Sequence, residues 1–247
     1  MSQIIKKTRF LFLGVFFLMT SFTAYAQEND FSSGQKEKIN QMIRTYILEH
    51  PEILPEAIQI LQNRSKVAKL AQNYTALYED GFSYIDGNEN GDLTMIEFFD
   101  YNCGYCKRVL KAVERLKKED KNLRIIYKEF PILSESSYTA SKAAMASIKQ
   151  GKYEKFHVAM LSNSGSLTED RIFEIAKEIG LDVKQLAKDM TSPVLERNIK
   201  INQNLAQTLG ITGTPGFIIG DTIVPGALPY EELVKLIKKA RQQKNRK

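Results

Sequence analysis

Apolar and polar positions change period several times along the chain, and each change marks an element. Phe10 to Met19 is apolar throughout, with one glycine. Ile39, Met42, Ile43, Tyr46 and Ile47 then recur at helical spacing. Pro51 interrupts that stripe, and Pro55 suits the first turn of a second helix. Its apolar positions continue through Ile58, Leu61, Val67, Leu70, Tyr74 and Leu77, with Lys, Gln, Asn and Arg between. Beyond Asn90-Gly91 the pattern changes. Leu93 to Phe99 is rich in β-branched and aromatic residues and reads as a buried strand. Val109, Leu110, Val113 and Leu116 return to helical spacing among lysines and arginines. Leu123 to Tyr127 predicts a second strand, followed by Glu129-Phe130-Pro131. From Ser134 to about Gly210 every strong period is helical. Ala140, Ala143, Ala144 and Ile148 mark one helix; Ile172, Ile175, Ala176 and Ile179 mark another; Val194, Ile199, Ile201 and Leu205 mark a third. Gly216 to Ile219 and Thr222 to Val224, split by Gly220-Asp221, predict a closing hairpin, and Leu228 to Ala240 a final helix. The fold class is α/β: a small sheet with an all-helical insertion, preceded by an amphipathic helical segment. The chain has no internal repeat and no low-complexity tract.

The ends add a destination. Lys6, Lys7 and Arg9 precede the apolar run, and Ala24-Tyr25-Ala26 supplies a small-x-small cleavage pattern before Gln27. Residues 1–26 therefore read as a signal peptide, the run being shorter than the ~20 apolar residues of a membrane span. An uncleaved anchor is the alternative. No cysteine lies near the cleavage pattern for lipid attachment. The mature chain is expected in an exported compartment where disulfides persist, the periplasm or cell envelope. Four segments follow: 1–26 signal, 27–80 helical leader, 81–242 main domain with the insertion at about 134–210, and 243–247 basic tail.

Charge excludes one class of partner. The signal holds three basic residues and no acid, so its loss lowers the formal net charge from +6 to +3. The last ten residues hold six more basic groups, Lys238, Lys239, Arg241, Lys244, Arg246 and Lys247, which leaves the body at about −3. Nucleic-acid binding needs a patterned basic surface, and none is evident. The tail reads as a solvated, frayed end. The leader's two apolar faces require burial, and self-association into a homo-oligomer is the expected solution, with packing on the main domain as the alternative.

The chemistry lies in Cys103-Gly104-Tyr105-Cys106, which holds both cysteines of the 247-residue chain. The pair sits where a strand turns into a helix. There the free backbone amides and the helix dipole stabilise a thiolate on the first cysteine. A thiolate beside a second thiol suits thiol–disulfide exchange. An inert local disulfide and half of a zinc site are the alternatives. Zinc normally takes four Cys or His ligands, and the remaining candidates, His50 and His157, are far away in sequence and read as packing residues. Lys128 and Glu129 read as strand-end charges. Asp86-Gly87-Asn88-Glu89-Asn90-Gly91, five residues and then Glu97 match the calcium-loop pattern letter for letter. Glu97, however, sits in a predicted strand where a calcium loop begins a helix, and no second loop exists. No resident metal is expected, although a vicinal dithiol suits a soft ion such as copper(I).

Glu97-Phe98-Phe99-Asp100-Tyr101-Asn102-Cys103-Gly104-Tyr105-Cys106-Lys107, the helical insertion, and Gly213-Thr214-Pro215-Gly216-Phe217 together resemble a DsbA-family thiol–disulfide oxidoreductase of the thioredoxin fold. The leader, with Tyr46-Ile47-Leu48-Glu49-His50-Pro51-Glu52-Ile53, resembles the N-terminal segment of the ScsC-like branch, some of whose members are oligomeric isomerases. The resemblance spans residues from about 35 to 240. It implies Cys103 as an exposed nucleophile and Cys106 as the buried resolving thiol. It implies a cis bond at Thr214-Pro215, with Gly104, Tyr105, Thr214 and Pro215 against the substrate. Glu97 would match the family's buried acid beneath Cys106, passing protons to and from that thiol. The only redox group implied is the Cys103–Cys106 disulfide itself, with no other cofactor. The implied partners are unfolded or misoxidised exported proteins and a membrane redox partner. Gly-Tyr departs from the Pro-His of the DsbA type and is similar to the Gly-Tyr of DsbC-type isomerases, as is Thr214 before the proline. Isomerase or reductase is thereby favoured over oxidase. A non-catalytic envelope assembly protein is the reading from another class.

Overall fold

The computed structural model describes residues 31–245. The expected signal peptide and the last two residues of the basic tail lie outside them. The chain divides between Leu54 and Pro55 into two compact units. The first contains α1 (Ser33–Glu49), which opens on a reciprocal capping box between Ser32 and Gln35. None of its residues is buried.

Beyond Leu54 run the rest of α2 (Ile53–Gln72), α3 (Tyr74–Tyr78), β1 (Tyr84–Gly87), β2 (Leu93–Phe99), α4 (Gly104–Glu119) and β3 (Leu123–Glu129). The insertion follows as α5 (Glu135–Ser147), α6 (Tyr153–Ser162), α7 (Glu169–Glu178), α8 (Val183–Met190) and α9 (Pro193–Leu209). The chain closes with β4 (Gly216–Ile219), β5 (Thr222–Pro225) and α10 (Tyr230–Lys244). The fold is thioredoxin-like, α/β with an all-helical insertion. Its sheet has the order β1-β3-β2-β4-β5, with β2 and β3 parallel and every other pair antiparallel.

Both faces of the sheet are covered, which is why β2 and β3 are apolar runs rather than alternating ones. On one face Met95, Phe99, Leu123, Ile125 and Tyr127 join the core formed with α4, the insertion and α10. On the other, Ile96, Phe98, Ile126 and Ile218 pack with Leu70, Leu77, Leu205 and Leu209. Lys128 points to this second face. It is fully buried, with its Nζ donating to Asp80 Oδ2 at 2.5 Å and to the Ala76 carbonyl at 2.7 Å. It is a buried ion pair, not a strand-end charge.

Five elements depart from the periodicity: α3 is a helix separate from α2, α6 lies between the helices that the period marks, and β1, α8 and α10 differ as follows. β1 is an edge strand of four residues, inside a stretch whose Asp, Asn and Gly read as a turn. α8 is eight residues long and buries only Leu186 and Met190, too few positions to set a period. α10 continues past Ala240 to Lys244. Arg241 spans Asp92 and Asp120, and Lys244 Nζ donates to the Asp92 carbonyl at 2.7 Å, so the start of the basic stretch is fastened to the fold.

Candidate active site

α4 buries Cys106, Val109, Leu110, Val113 and Leu116 against the sheet. That orientation fixes which cysteine is deep. Cys106, one turn in, is fully buried. Cys103 is the N-cap, with extended backbone angles, and its carbonyl accepts from Lys107 N at 3.0 Å. The expectation of an exposed Cys103 needs correction, because only 6 % of the residue is reachable. The Thr214–Pro215 loop lies over it, with Sγ 3.2 Å from the Thr214 carbonyl oxygen. That peptide bond is cis. Behind the loop, a Cβ on Gly216 would come within 2.6 Å of Ile211 Cγ2, so glycine permits the close approach. The Pro215 carbonyl accepts from Gly226 N at 2.8 Å, which ties the loop to the end of β5.

The two thiols are driven apart. As a thiol, Cys103 donates to the Thr214 carbonyl. As a thiolate, it accepts foremost from the Cys106 thiol, then from the Thr214 hydroxyl and the Cys106 and Tyr105 amides. These donors outweigh burial and lower its pKa from 9.0 to about 5. Burial, the hydrogen bond to Cys103 and the charge of Glu97 push Cys106 the other way. Glu97, in mid-β2 between Tyr127 and Phe217, is 2 % exposed. Burial first, then repulsion from Cys103 and Glu114, raises its carboxyl from 4.5 to about 8.

Tyr105 is 59 % exposed beside the pair, with the Arg108 guanidinium 4.1 Å above its ring. Gly104 is under no steric demand, since an added Cβ would meet only Arg108 at 3.8 Å.

Two residues that sequence reasoning assigned no role hold the turn before Cys103. Asp100 is fully buried and accepts from Asn102 N at 2.8 Å, Ile132 N at 2.9 Å and Leu133 N at 3.0 Å. Asn102 donates to Ser136 Oγ and Ser137 Oγ and accepts from Leu167 N at 2.9 Å. Asp-x-Asn ahead of a helix cap is an Asx-turn pattern, the one signal that pointed to them. Lys107 Nζ donates to the carbonyls of Asn163 and Gly165 at 2.8 and 2.6 Å and so ties α4 to the loop after α6.

The calcium-loop residues go elsewhere. Asp86 sits in β1 and takes Lys117 Nζ at 2.9 Å, the Asn88 amide donates to the Lys121 carbonyl, and Glu97 is enclosed in the sheet. Among the described residues no three His, Cys, Asp or Glu side chains are grouped to hold a metal ion. His50 is half exposed beside Glu52, and His157 is buried in α6.

Fold, thiol pair and cis loop define a thiol–disulfide oxidoreductase. Residues 94–238 match the DSBA-like thioredoxin domain, and residues 35–68 match the copper resistance protein ScsC N-terminal domain. The chain belongs to the DsbA-like thioredoxin-domain family. A thioredoxin-like oxidoreductase from Silicibacter pomeroyi DSS-3 is 43 % identical with a TM-score of 0.67, over 68 % of this chain and 97 % of that one. A linker-deletion mutant of Proteus mirabilis ScsC is 29 % identical with a TM-score of 0.70, over 87 % and 99 %. The thiol–disulfide exchange protein α-DsbA2 from Wolbachia pipientis is 30 % identical with a TM-score of 0.68, over 72 % and 97 %. Curated relatives include the Na(+)/H(+) antiporter NhaA 1 of Mycobacterium sp. (strain KMS), 23 % identical over 164 residues. That match covers 64 % of this chain, which spans 27 % of the antiporter's length. Among the described residues no helix is long and apolar enough to cross a membrane.

Proposed function

We propose that the chain is an exported oxidoreductase that isomerises or reduces disulfides in envelope proteins, with Cys103 as nucleophile, Cys106 as resolving thiol and Glu97 as proton carrier. The observation that carries the thiol-exchange reading and the roles of Cys103 and Cys106 is the split between the two thiols, one drawn down to about 5 and the other pushed up; the redox direction rests on the motif residues below. The Cys103 thiolate attacks a client disulfide, forming one S–S bond and breaking another, and the released client thiolate takes a proton from water. In isomerisation a second client thiolate attacks the mixed disulfide and returns Cys103 as a thiolate, with no net change in oxidation. In reduction Cys106 gives its proton to the ionised form of Glu97 and attacks the Cys103 sulfur, breaking the mixed disulfide, and the second client thiolate released takes a proton from water. The client leaves as a dithiol and the enzyme as the Cys103–Cys106 disulfide, which a membrane thiol donor must reduce. The cycle uses no cofactor beyond this disulfide.

Gly104-Tyr105 and Thr214 support the isomerase direction. The cis loop supports a substrate-binding role for Thr214 and Pro215, whose backbone borders Cys103. A homo-oligomer is supported by α1, where Met42, Ile43, Tyr46 and Leu48 are each more than half exposed. Export to the periplasm rests on the pattern of residues 1–26. The second reading, a dithiol oxidase, is favoured by one observation: a thiolate held near 5 stabilises the reduced enzyme, which is what makes a disulfide oxidising.

The test is reactivation of a scrambled-disulfide ribonuclease by residues 27–247 beside a Cys103→Ala control. Recovery that requires Cys103 supports the isomerase. Failure to reactivate, with rapid oxidation of a reduced peptide, moves the reading to the oxidase. Inactivity in both overturns it.

A further inference from the structure

Glu129, at the end of β3, is 2 % exposed although it is an ionisable residue on the active-site side of the sheet. Its Oε1 accepts from Tyr153 Oη at 2.7 Å and from Tyr101 Oη at 3.2 Å. Tyr101 Oη is also 3.1 Å from His157 Nδ1. The one hydroxyl proton of Tyr101 goes to Glu129 Oε1, so the ring nitrogen of His157 carries the proton that Tyr101 receives. The chain of bonds therefore runs from His157 in α6, through Tyr101, to Glu129. The imidazole is boxed by aromatic rings, with Phe99, Tyr101, Tyr127 and Tyr153 at centroid distances of 4.7, 5.6, 4.4 and 5.7 Å. Every ring in the set is buried.

Tyr101 stands in the Asp100-Tyr101-Asn102 turn, whose next residue is Cys103. Its two flanking residues are already fixed, Asp100 by the amides of Ile132 and Leu133 and Asn102 by the serines of α5. Cys103 N in turn donates to the Asp100 carbonyl at 3.1 Å. A shift of this turn moves the cap of α4 relative to Thr214, and with it the donors around the Cys103 sulfur.

We propose that Tyr101, Glu129 and His157 form a buried positioning unit that locks the Asp100–Cys103 turn and keeps the Cys103 sulfur seated among its thiolate-stabilising donors. The unit touches no reacting atom. It acts through the turn, and its anchor, His157, comes from the insertion, so the insertion takes part in setting thiol reactivity.

The titratable surroundings agree with a locked, uncharged device. Burial drives the imidazole down to about 3, with repulsion from Lys117 adding to it, so His157 stays neutral. Burial raises Glu129 to about 8 against the hydrogen bonds from Tyr153 and Tyr101, with the charge of Asp100 raising it further. From α9, Asn202 Nδ2 donates to the Glu129 backbone carbonyl at 3.2 Å. Tyr127, on β3 itself, is held protonated by burial and by the charges of Glu97, Asp86, Glu114 and Glu154.

The inference rests on Cys103 being the nucleophile, and the experiment separates the two. The rate of Cys103 alkylation against pH is read by mass spectrometry on the reduced chain, 27–247, for the wild type, Tyr101→Phe, Tyr153→Phe, Glu129→Leu and Glu129→Gln. Circular dichroism and thermal melting follow the fold. Tyr101→Phe keeps the ring and removes the hydroxyl. It should slow alkylation at pH 6 by about threefold to tenfold, the range one lost hydrogen bond supports. Glu129→Leu should do the same, and Glu129→Gln, which keeps an acceptor, should recover most of the rate. Tyr153→Phe strips a donor from the same oxygen without touching the turn, so it should lower the melting temperature and leave the profile in place. A Tyr101→Phe profile superimposed on the wild type, or a Tyr153→Phe shift equal to it, overturns the positioning unit. A wild-type Cys103 that alkylates like a free thiol overturns the nucleophile assignment instead.

Discussion

The helices α1 and α4 are nearly equal in length, 17 and 16 residues, and both place apolar side chains at helical spacing. α4 buries five of them under the sheet, and α1 buries none. Met42, Ile43, Tyr46 and Leu48 of α1 remain exposed, while Val109, Val113 and Leu116 of α4 are each at most 3 % exposed. An amphipathic stripe thus states that a helix needs a partner surface without naming it. For α4 the partner is the sheet of its own domain, and the burial that satisfies it also drives Cys106 inward and leaves Cys103 at the cap. For α1 the proposed partner is another copy of the chain.

The contrast can be broken most forcefully at Val113. Val113→Asp places an unpaired charge in the core at a cost of several kcal/mol, on the order of 4 or more. The reduced protein should lose its cooperative thermal transition. Next in size, Leu116→Ala should cost about 2–5 kcal/mol through lost burial and a residual cavity, read by urea unfolding. A change below about 1 kcal/mol would mean that α4 is not seated as described.

The buried acid gives a smaller, pH-dependent effect. With its folded pKa raised from 4.5 to about 8, Glu97 holds a proton in the native state that the unfolded chain has already released. The native state therefore binds more protons, and stability present below about 4.5 is lost as pH rises towards 8. In a Cys103→Ala background, which removes the opposing thiolate and also its repulsion of Glu97, the urea midpoint should still fall as pH rises above about 4.5, and adding Glu97→Gln should lessen the fall, the remainder belonging to Glu129. An unchanged slope would place Glu97 outside the coupled site.

The smallest effect on stability belongs to α1. Ile43→Ser should change the main melting transition by no more than about 0.5 kcal/mol, yet lower the mass seen by light scattering if the exposed stripe joins copies. Equal masses for variant and wild type would remove the oligomer proposal.

What could be read from the residues alone divides along similar physical lines. β2, β3 and α4 are legible because each combines a strong period with local punctuation, and the two cysteines fall at a junction of such signals; the cis loop is legible only through the family resemblance of Gly213 to Phe217. β1 was hidden because a four-residue edge strand ending in Asp-Gly has the composition of a turn. The burial of Lys128 and Glu129 was equally hidden. Each is satisfied by a partner far away in sequence, Asp80 for one and the Tyr101 and Tyr153 hydroxyls for the other, and no local pattern announces a long-range pair. Cys103 looked exposed because a helix cap normally faces outward. The loop that covers it arrives 111 residues later.

The central claim is that Cys103 attacks and Cys106 resolves. The most direct measurement is trapping: reduced Cys106→Ala and Cys103→Ala chains are mixed with a disulfide-bonded peptide at pH 6 and quenched with acid. Adduct masses then show where the mixed disulfide forms. The account predicts a long-lived adduct on Cys103 in the first variant and almost none on Cys106 in the second, because a thiol raised by burial supplies negligible thiolate at that pH. Equal adducts on both cysteines, or a Cys106 adduct alone, would contradict it.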